Sequence, residues 1–157
     1  SLIPNVIINS DNYEFDGSTN FLELESNITP ELANSNFTFE FWAKINNLTN
    51  NTSQHYIYAQ GDNTPGNNLT IYFAYDGSDK GIYLDFSGGG VHAIINIDET
   101  VWNHYAVVFN NSIDPYTITD ATQFYINGNL VTTQHTGGTN TTKFAAQGSA
   151  TIGKTNN

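Results

Sequence analysis

Within a short stretch of the chain, Tyr72, Tyr83, Asp85 and His92 are the side-chain types that hold a sugar. A sugar ring offers an apolar C–H face to aromatic rings and a rim of hydroxyls to carboxylates, amides and imidazoles. Asn67 and Asn68, in the preceding polar loop, would add amide contacts. These six residues are the candidate ligand-binding set. The competing reading makes the two tyrosines an ordinary cross-strand pair on a solvated face.

Hydrolysis of a glycan makes a different demand, two carboxylates at a fixed separation, one protonated and one ionised. Glu23-Leu24-Glu25 and Asp98-Glu99 are the nearest approaches. His55, His92, His104 and His135 could serve a Ser or Thr nucleophile, yet no serine stands in a nucleophile-elbow glycine motif. His104 falls on the same strand face as Glu40 and Trp42 if their strands are neighbours, and is expected to be a buried polar support of the fold. No residue is assigned a catalytic role.

Calcium takes hard oxygen ligands. Asp62 in the segment Gly61 to Asn68, and Asp76 and Asp79 around Gly77, are its candidate ligands; loop aspartates also form turns. Eight Asn-x-Ser/Thr sequons, at Asn27, Asn36, Asn47, Asn50, Asn51, Asn68, Asn110 and Asn140, are glycosylation candidates.

Period-2 alternation positions all of these residues, and no helical stripe competes with it. From Asn36 to Ile45 the residues Phe37, Phe39, Phe41, Ala43 and Ile45 face one way, and Thr38, Glu40, Trp42 and Lys44 the other. Similar runs recur around 21–25, 55–60, 69–75, 82–86, 91–97, 104–109, 123–126, 130–133 and 150–152. About ten short strands in one chain predict an all-β, antiparallel two-sheet sandwich. Asn127-Gly128 fits a type I′ hairpin, while Asp76 to Asp79 and Ser87 to Gly90 separate three strands of a meander. Pairing Phe86 with Val91 would set Asp85 opposite His92, and pairing Tyr75 with Lys80 would set Tyr72 opposite Tyr83. That register predicts an exposed outer patch of Tyr72, Tyr83, Asp85 and His92, with Leu84, Phe86, Val91, Ala93 and Ile95 facing the core. Thr136 to Thr142 reads as a long polar loop.

Composition bounds the partners. Lys+Arg number 4 against 15 Asp+Glu, a formal net charge of -11. Too few cations exist to displace the counterions of nucleic acid, or to anchor the chain to an acidic membrane. Charged residues are only 12% of the chain, and 23 Asn, 10 Ser and 19 Thr supply its polarity, which suits neutral sugars and an external setting. With no Cys there are no disulfides, thiolates or Cys-bearing zinc sites. The 157 residues suffice for one domain, and the absence of Met suggests an excised piece of a longer chain.

Several segments in order resemble the laminin G-like jelly roll of the concanavalin A-like lectin/glucanase superfamily. They are Phe15-Asp16-Gly17 with Phe21-Leu22-Glu23-Leu24, then Phe37 to Lys44, Trp102 to Phe109, and Phe124 to Val131. The resemblance implies two curved sheets with ligands bound at a rim or on a concave face. It also implies a closing strand after Ala150 to Gly153, which this chain lacks, so an edge is expected to be open. The Glu-x-Asp-x-x-Glu spacing of the superfamily's glucanases is matched by neither carboxylate pair. Where calcium-binding relatives carry an aspartate, this chain has Asn68, and the second ligand position falls near Gln147. These features together predict a non-catalytic, lectin-like or adhesive module, 1–157, of an extracellular, cell-surface or virion-surface protein, recognising a neutral glycan or glycoprotein. A structural module that joins other chains of one assembly is the alternative, and a degenerate glycoside hydrolase the third reading.

Overall fold

A computed structural model describes residues 7–8, 11–16, 19–24, 32, 34–46, 48, 54–62, 64–75, 77–114, 116–142 and 149–154. Its strands are β1 (Ile7–Ile8), β2 (Tyr13–Glu14), β3 (Leu22–Leu24), β4 (Phe37–Ala43), β5 (His55–Gly61), β6 (Asn68–Tyr75), β7 (Lys80–Asp85), β8 (Gly89–Ile94), β9 (Asn103–Phe109), β10 (Thr122–Ile126), β11 (Asn129–Val131), β12 (Gln134–Gly138) and β13 (Ala150–Ile152). One helical turn, α1 (Ile118–Ala121), is capped by the Thr117 hydroxyl, which accepts from the Asp120 N–H. The alternating apolar runs all become strands, and every pairing is antiparallel. They build a seven-stranded sheet ordered β12-β8-β7-β6-β5-β13-β3 and a four-stranded sheet ordered β11-β10-β9-β4. The predicted all-β jelly-roll sandwich is therefore the observed architecture.

Alternation puts one apolar face of each sheet against the other. Phe41 meets Phe73 at 6.1 Å between ring centroids, Tyr105 meets Phe73 at 4.9 Å, Phe39 meets Tyr58 at 4.4 Å and Phe86 meets Phe109 at 5.3 Å. Each of these pairs joins the four-stranded sheet to the seven-stranded one. Leu69, Ile71, Leu84 and Val91 fill the layer between them and are fully buried.

Four features depart from the sequence reading. Gln134–Gly138 is an edge strand against β8, where a loop was expected; all its residues are exposed, so no apolar alternation marks it. The β1–β2 hairpin and α1 are likewise too short to show a period. In the β7–β8 hairpin Leu84 pairs with Val91, Asp85 with Gly90 and Tyr83 with His92. The expected pairing of Phe86 with Val91, and of Asp85 with His92, is thus wrong by two residues. The cause is a tighter turn, in which the Phe86 N–H donates to the Gly89 carbonyl at 3.0 Å and Ser87 takes a φ of 53°. A slip of two leaves every side chain on its face, so Leu84, Phe86, Val91, Ala93 and Ile95 are buried as expected. The other turns follow their sequences. Asn127 and Gly128 both take positive φ, 50° and 77°, as a type I′ turn requires.

Phe109 stacks on Phe37 at 5.0 Å within its own sheet and meets Phe86 of the other, so it pins both layers. Phe109→Ala is expected to lower stability by about 3–5 kcal/mol, read as a lower denaturant midpoint at unchanged slope.

Candidate functional site

The inner face of β6, β7 and β8 is committed to the core, so alternation turns Tyr72, Tyr83 and His92 outward. They lie in one row, since Tyr72 pairs with Tyr83 and Tyr83 with His92. A fourth ring joins from β5. Tyr58 faces inward opposite Ile71, and regular alternation would send Tyr56 inward as well. An irregularity in the register between Tyr56 and Tyr58 reverses this and sets Tyr56 opposite Tyr72. Ring centroids along the row are 5.5 Å apart for Tyr56 and Tyr72, 5.0 Å for Tyr72 and Tyr83, and 5.0 Å for Tyr83 and His92. The last two contacts are close to parallel, at 7° and 14°.

This ladder corrects the expected exposed patch. Tyr83 is 8% exposed, because Tyr72 covers one of its faces and His92 the other. Neither Tyr72 nor Tyr83 can offer a free face for a sugar to stack on. What the middle of the ladder can offer is ring edges and phenol hydroxyls.

A row of smaller residues runs beside the rings: Thr151, Ala59, Thr70, Asp85 and Gly90, each paired with the next. Ala59 and Thr70 are buried, whereas Asp85 is half-buried and reaches solvent. The Asp85 Oδ1 accepts from the Ser87 N–H at 2.5 Å. A side chain at Gly90 would stand 2.8 Å from the Asp85 Oδ2 and 2.7 Å from the Thr136 Oγ1, so a glycine there leaves room for the carboxylate. Burial raises the Asp85 carboxyl above its ordinary range, opposed by the Ser87 hydrogen bond; among the described residues no second carboxylate contributes. The Tyr72 hydroxyl is pushed up mainly by burial and then by the Asp85 charge. The Tyr72 phenol therefore holds its proton more firmly beside the Asp85 side chain, whose oxygens accept hydrogen bonds. Such a donor and acceptor set fits a ligand rich in hydroxyls.

Asn68 lies on the same outer face of β6 but is only 3% exposed, so a sequon glycan there would need space the strand does not leave. Asn67 stands in the preceding turn, its N–H donating to the Thr64 carbonyl at 2.9 Å. In that turn the Asp62 carboxylate accepts from the Thr64 hydroxyl and N–H and from the Asn67 side chain, which hold it below the usual carboxylate range. Asp79 accepts from the Ser78 hydroxyl at 3.1 Å, and Asp76 lies outside the described residues. Among the described residues no group of three or more His, Asp or Glu side chains could hold a metal ion, and Asp62 and Asp79 stand in different turns, before and after β6. Of the other sequon asparagines, Asn36 and Asn110 are exposed, and Asn140 is half-buried with its carbonyl oxygen accepting from Thr119. Asn27, Asn47, Asn50 and Asn51 lie outside the described residues.

His104 and Trp42 are a cross-strand pair on the outer face of the four-stranded sheet, with ring centroids 5.4 Å apart. The Glu40 carboxylate lies 3.8 Å from the His104 imidazole. The expected buried support is not what forms, because this face is open to solvent and Trp42 is 64% exposed. Sequence reasoning placed the three residues on one face; it could not tell that nothing among the described residues packs over them.

Because burial raises the Asp85 carboxyl, its ionised form opposes folding. Below the ordinary value of 3.8 both folded and unfolded chains are protonated and no penalty exists; it grows as pH rises through the raised folded value. Asp85→Asn keeps an acceptor for the Ser87 N–H. It should therefore melt higher than the parent at pH 7, with the gap closing as pH falls below 4, in paired thermal scans.

A comparison with the curated proteins finds no match. A laminin G-like family model, described as the concanavalin A-like lectin/glucanases superfamily, matches residues 16–157. That match spans both sheets, the ring ladder and the Asp85 row. With the antiparallel seven-on-four sandwich, it establishes that the chain belongs to the concanavalin A-like lectin/glucanases superfamily, as a laminin G-like member.

Proposed function

We propose that residues 1–157 form a single non-catalytic module, of an extracellular or virion-surface protein, that binds a neutral glycan on the outer face of the seven-stranded sheet. A laminin G-like domain suggests a lectin-like or adhesion module; such domains are typically non-catalytic and usually extracellular. The observation that carries the finer reading is the Asp85 carboxylate, held partly desolvated beside Tyr72 and Tyr83 at the point where its row reaches solvent. A carboxylate that opposes folding where it stands is better explained by a ligand than by the scaffold. Sugar hydroxyls would donate to Asp85 and meet the phenol edges of the ladder, with His92 at its end. The excess of 15 Asp+Glu over 4 Lys+Arg disfavours sulfated chains. Hydrolysis would need a second carboxylate acting with Asp85, and among the described residues burial, not such a partner, raises its carboxyl.

A second reading, an assembly module that joins other chains without sugar, is favoured by one observation. Trp42, Trp102 and Leu130 are large, apolar and exposed on or beside the four-stranded sheet.

An array of neutral glycans, probed with and without EDTA, separates the two and shows whether calcium completes the site. The expected outcome is binding to a subset of glycans, weakened about tenfold or more by Asp85→Asn or Gly90→Ala, since a hydrogen bond to a charged group contributes about 1.5–3 kcal/mol. Silence across the array from folded protein would sink the glycan reading. So would binding that ignores both substitutions.

A further inference from the structure

Beyond Gly90 the row of small residues on the outer face of the seven-stranded sheet meets β12, and the pairing there is irregular. Gln134 pairs with His92 and His135 with Val91, but Gly90 pairs with Gly137, so Thr136 is an extra residue inserted between two paired ones. A bulge of this kind re-aims a side chain. The Thr136 Oγ1 comes to 2.7 Å from the point at which a Cβ of Gly90 would stand, and the Asp85 Oδ2 lies 2.8 Å from the same point. A hydroxyl and a carboxylate thus face each other across the one position of the row that has no side chain.

Both groups are held from behind. The Ser87 N–H engages the Asp85 Oδ1, and Oδ2 is the oxygen turned toward Gly90 and Thr136. On the other side the chain after the bulge is tied to the β7–β8 turn. Gly138, at a φ of 72°, comes so close that a Cβ there would overlap the Gly88 carbonyl. That carbonyl accepts from the Thr139 N–H at 2.6 Å and from the Thr142 hydroxyl at 3.0 Å. The Asn140 carbonyl accepts from the Ile118 N–H of α1 at 2.7 Å, and the Thr142 carbonyl from the Tyr116 hydroxyl at 2.9 Å. The segment that carries Thr136 is therefore anchored to the same turn that orients Asp85, which is what keeps two recognition groups at a fixed spacing.

We propose that Thr136 is a specificity-determining residue of the Asp85 site, and that a single sugar hydroxyl seated over Gly90 bridges the two, donating to the Asp85 Oδ2 and accepting from the Thr136 hydroxyl. The inference rests on the glycan reading of Asp85 and deepens it. The two protein groups select the chemistry of what lies between them. An ether or carbonyl oxygen has no proton to give a carboxylate, and an amide N–H has no lone pair to offer Thr136; a hydroxyl has both. A hydroxyl polarised by the carboxylate at one end also accepts more strongly at the other, so the two bonds support each other. The part of the ligand in contact is accordingly a hydroxyl-bearing face of a neutral sugar, and not its acetamido group or a glycosidic oxygen.

The probe is the same array of neutral glycans, with the bound ones then titrated calorimetrically against the parent, Thr136→Val, Thr136→Ser, Asp85→Asn and the double variant Asp85→Asn/Thr136→Val. Valine keeps the β-branched shape of threonine and removes only the hydroxyl, so Thr136→Val should melt with the parent. It should nevertheless weaken binding about fivefold, and Thr136→Ser should restore it. The double variant should lose less than the product of the two single losses, because both oxygens hold one group. Indifference of the bound glycans to Thr136→Val, while Asp85→Asn weakens them, overturns the inference and leaves the Asp85 site standing. A serine that fails to restore binding overturns it as well, since shape and not the hydroxyl would then matter, and single losses that simply multiply rule out the shared hydroxyl. Silence of the folded parent across the array overturns both this inference and the glycan reading beneath it.

Discussion

The structure depends on one dry aromatic seam. Phe41, Phe73 and Tyr105 meet edge to face and offset, Phe39 rests on Tyr58, and Phe109 joins Phe37 to Phe86. Neither sheet could remain folded with that face in water, so each is obliged to cover the other. Once the seam has claimed one side of every strand, the opposite side is what remains for recognition. The ring ladder and Asp85 on one sheet, and Trp42, His104 and Glu40 on the other, are consequences of that division.

The two outer faces use their aromatics differently. On the seven-stranded sheet Tyr56, Tyr72, Tyr83 and His92 stack on one another, which stabilises neighbouring strands and leaves edges and hydroxyls for a ligand. On the four-stranded sheet Trp42 has, among the described residues, the tilted His104 ring beside it and keeps most of its surface in solvent. The first arrangement is rigid and polar at its rim, in keeping with hydrogen-bonded recognition. The second is open and apolar, with Trp42 more than half exposed. Asp85 is partly withdrawn from water in the ladder sheet, where burial raises its carboxyl, in a position that Gly90 leaves open.

Much of the fold was legible in the sequence because strand alternation records which side of a sheet a residue faces. The run from Phe37 to Ile45 gave both faces of β4 correctly, and the Asn127-Gly128 pair marked its hairpin through the positive φ it tolerates. The site was legible in part. Tyr72, Tyr83, Asp85 and His92 do share an outer face, but Asp85 stands in the row beside the rings and not opposite His92. Tyr56 gave no signal, since the irregularity that turns it outward interrupts the very alternation used to read β5.

By itself the sequence determined the sandwich, the identity of its core, the acidic and amide-rich surface, and the family. The Tyr75–Lys80 and Tyr72–Tyr83 pairings were already legible, whereas tertiary structure alone decided the order of strands in each sheet, the registers of β7 with β8 and of β5 with β6, which tyrosine faces are covered, how far Asp85 is withdrawn from water, and that polar β12 becomes a strand. The physical reason is parity. A period of two residues fixes a side chain's face, but a two-residue slip or a change of neighbour preserves it, so partner, register and burial are set by contacts between segments far apart in the chain.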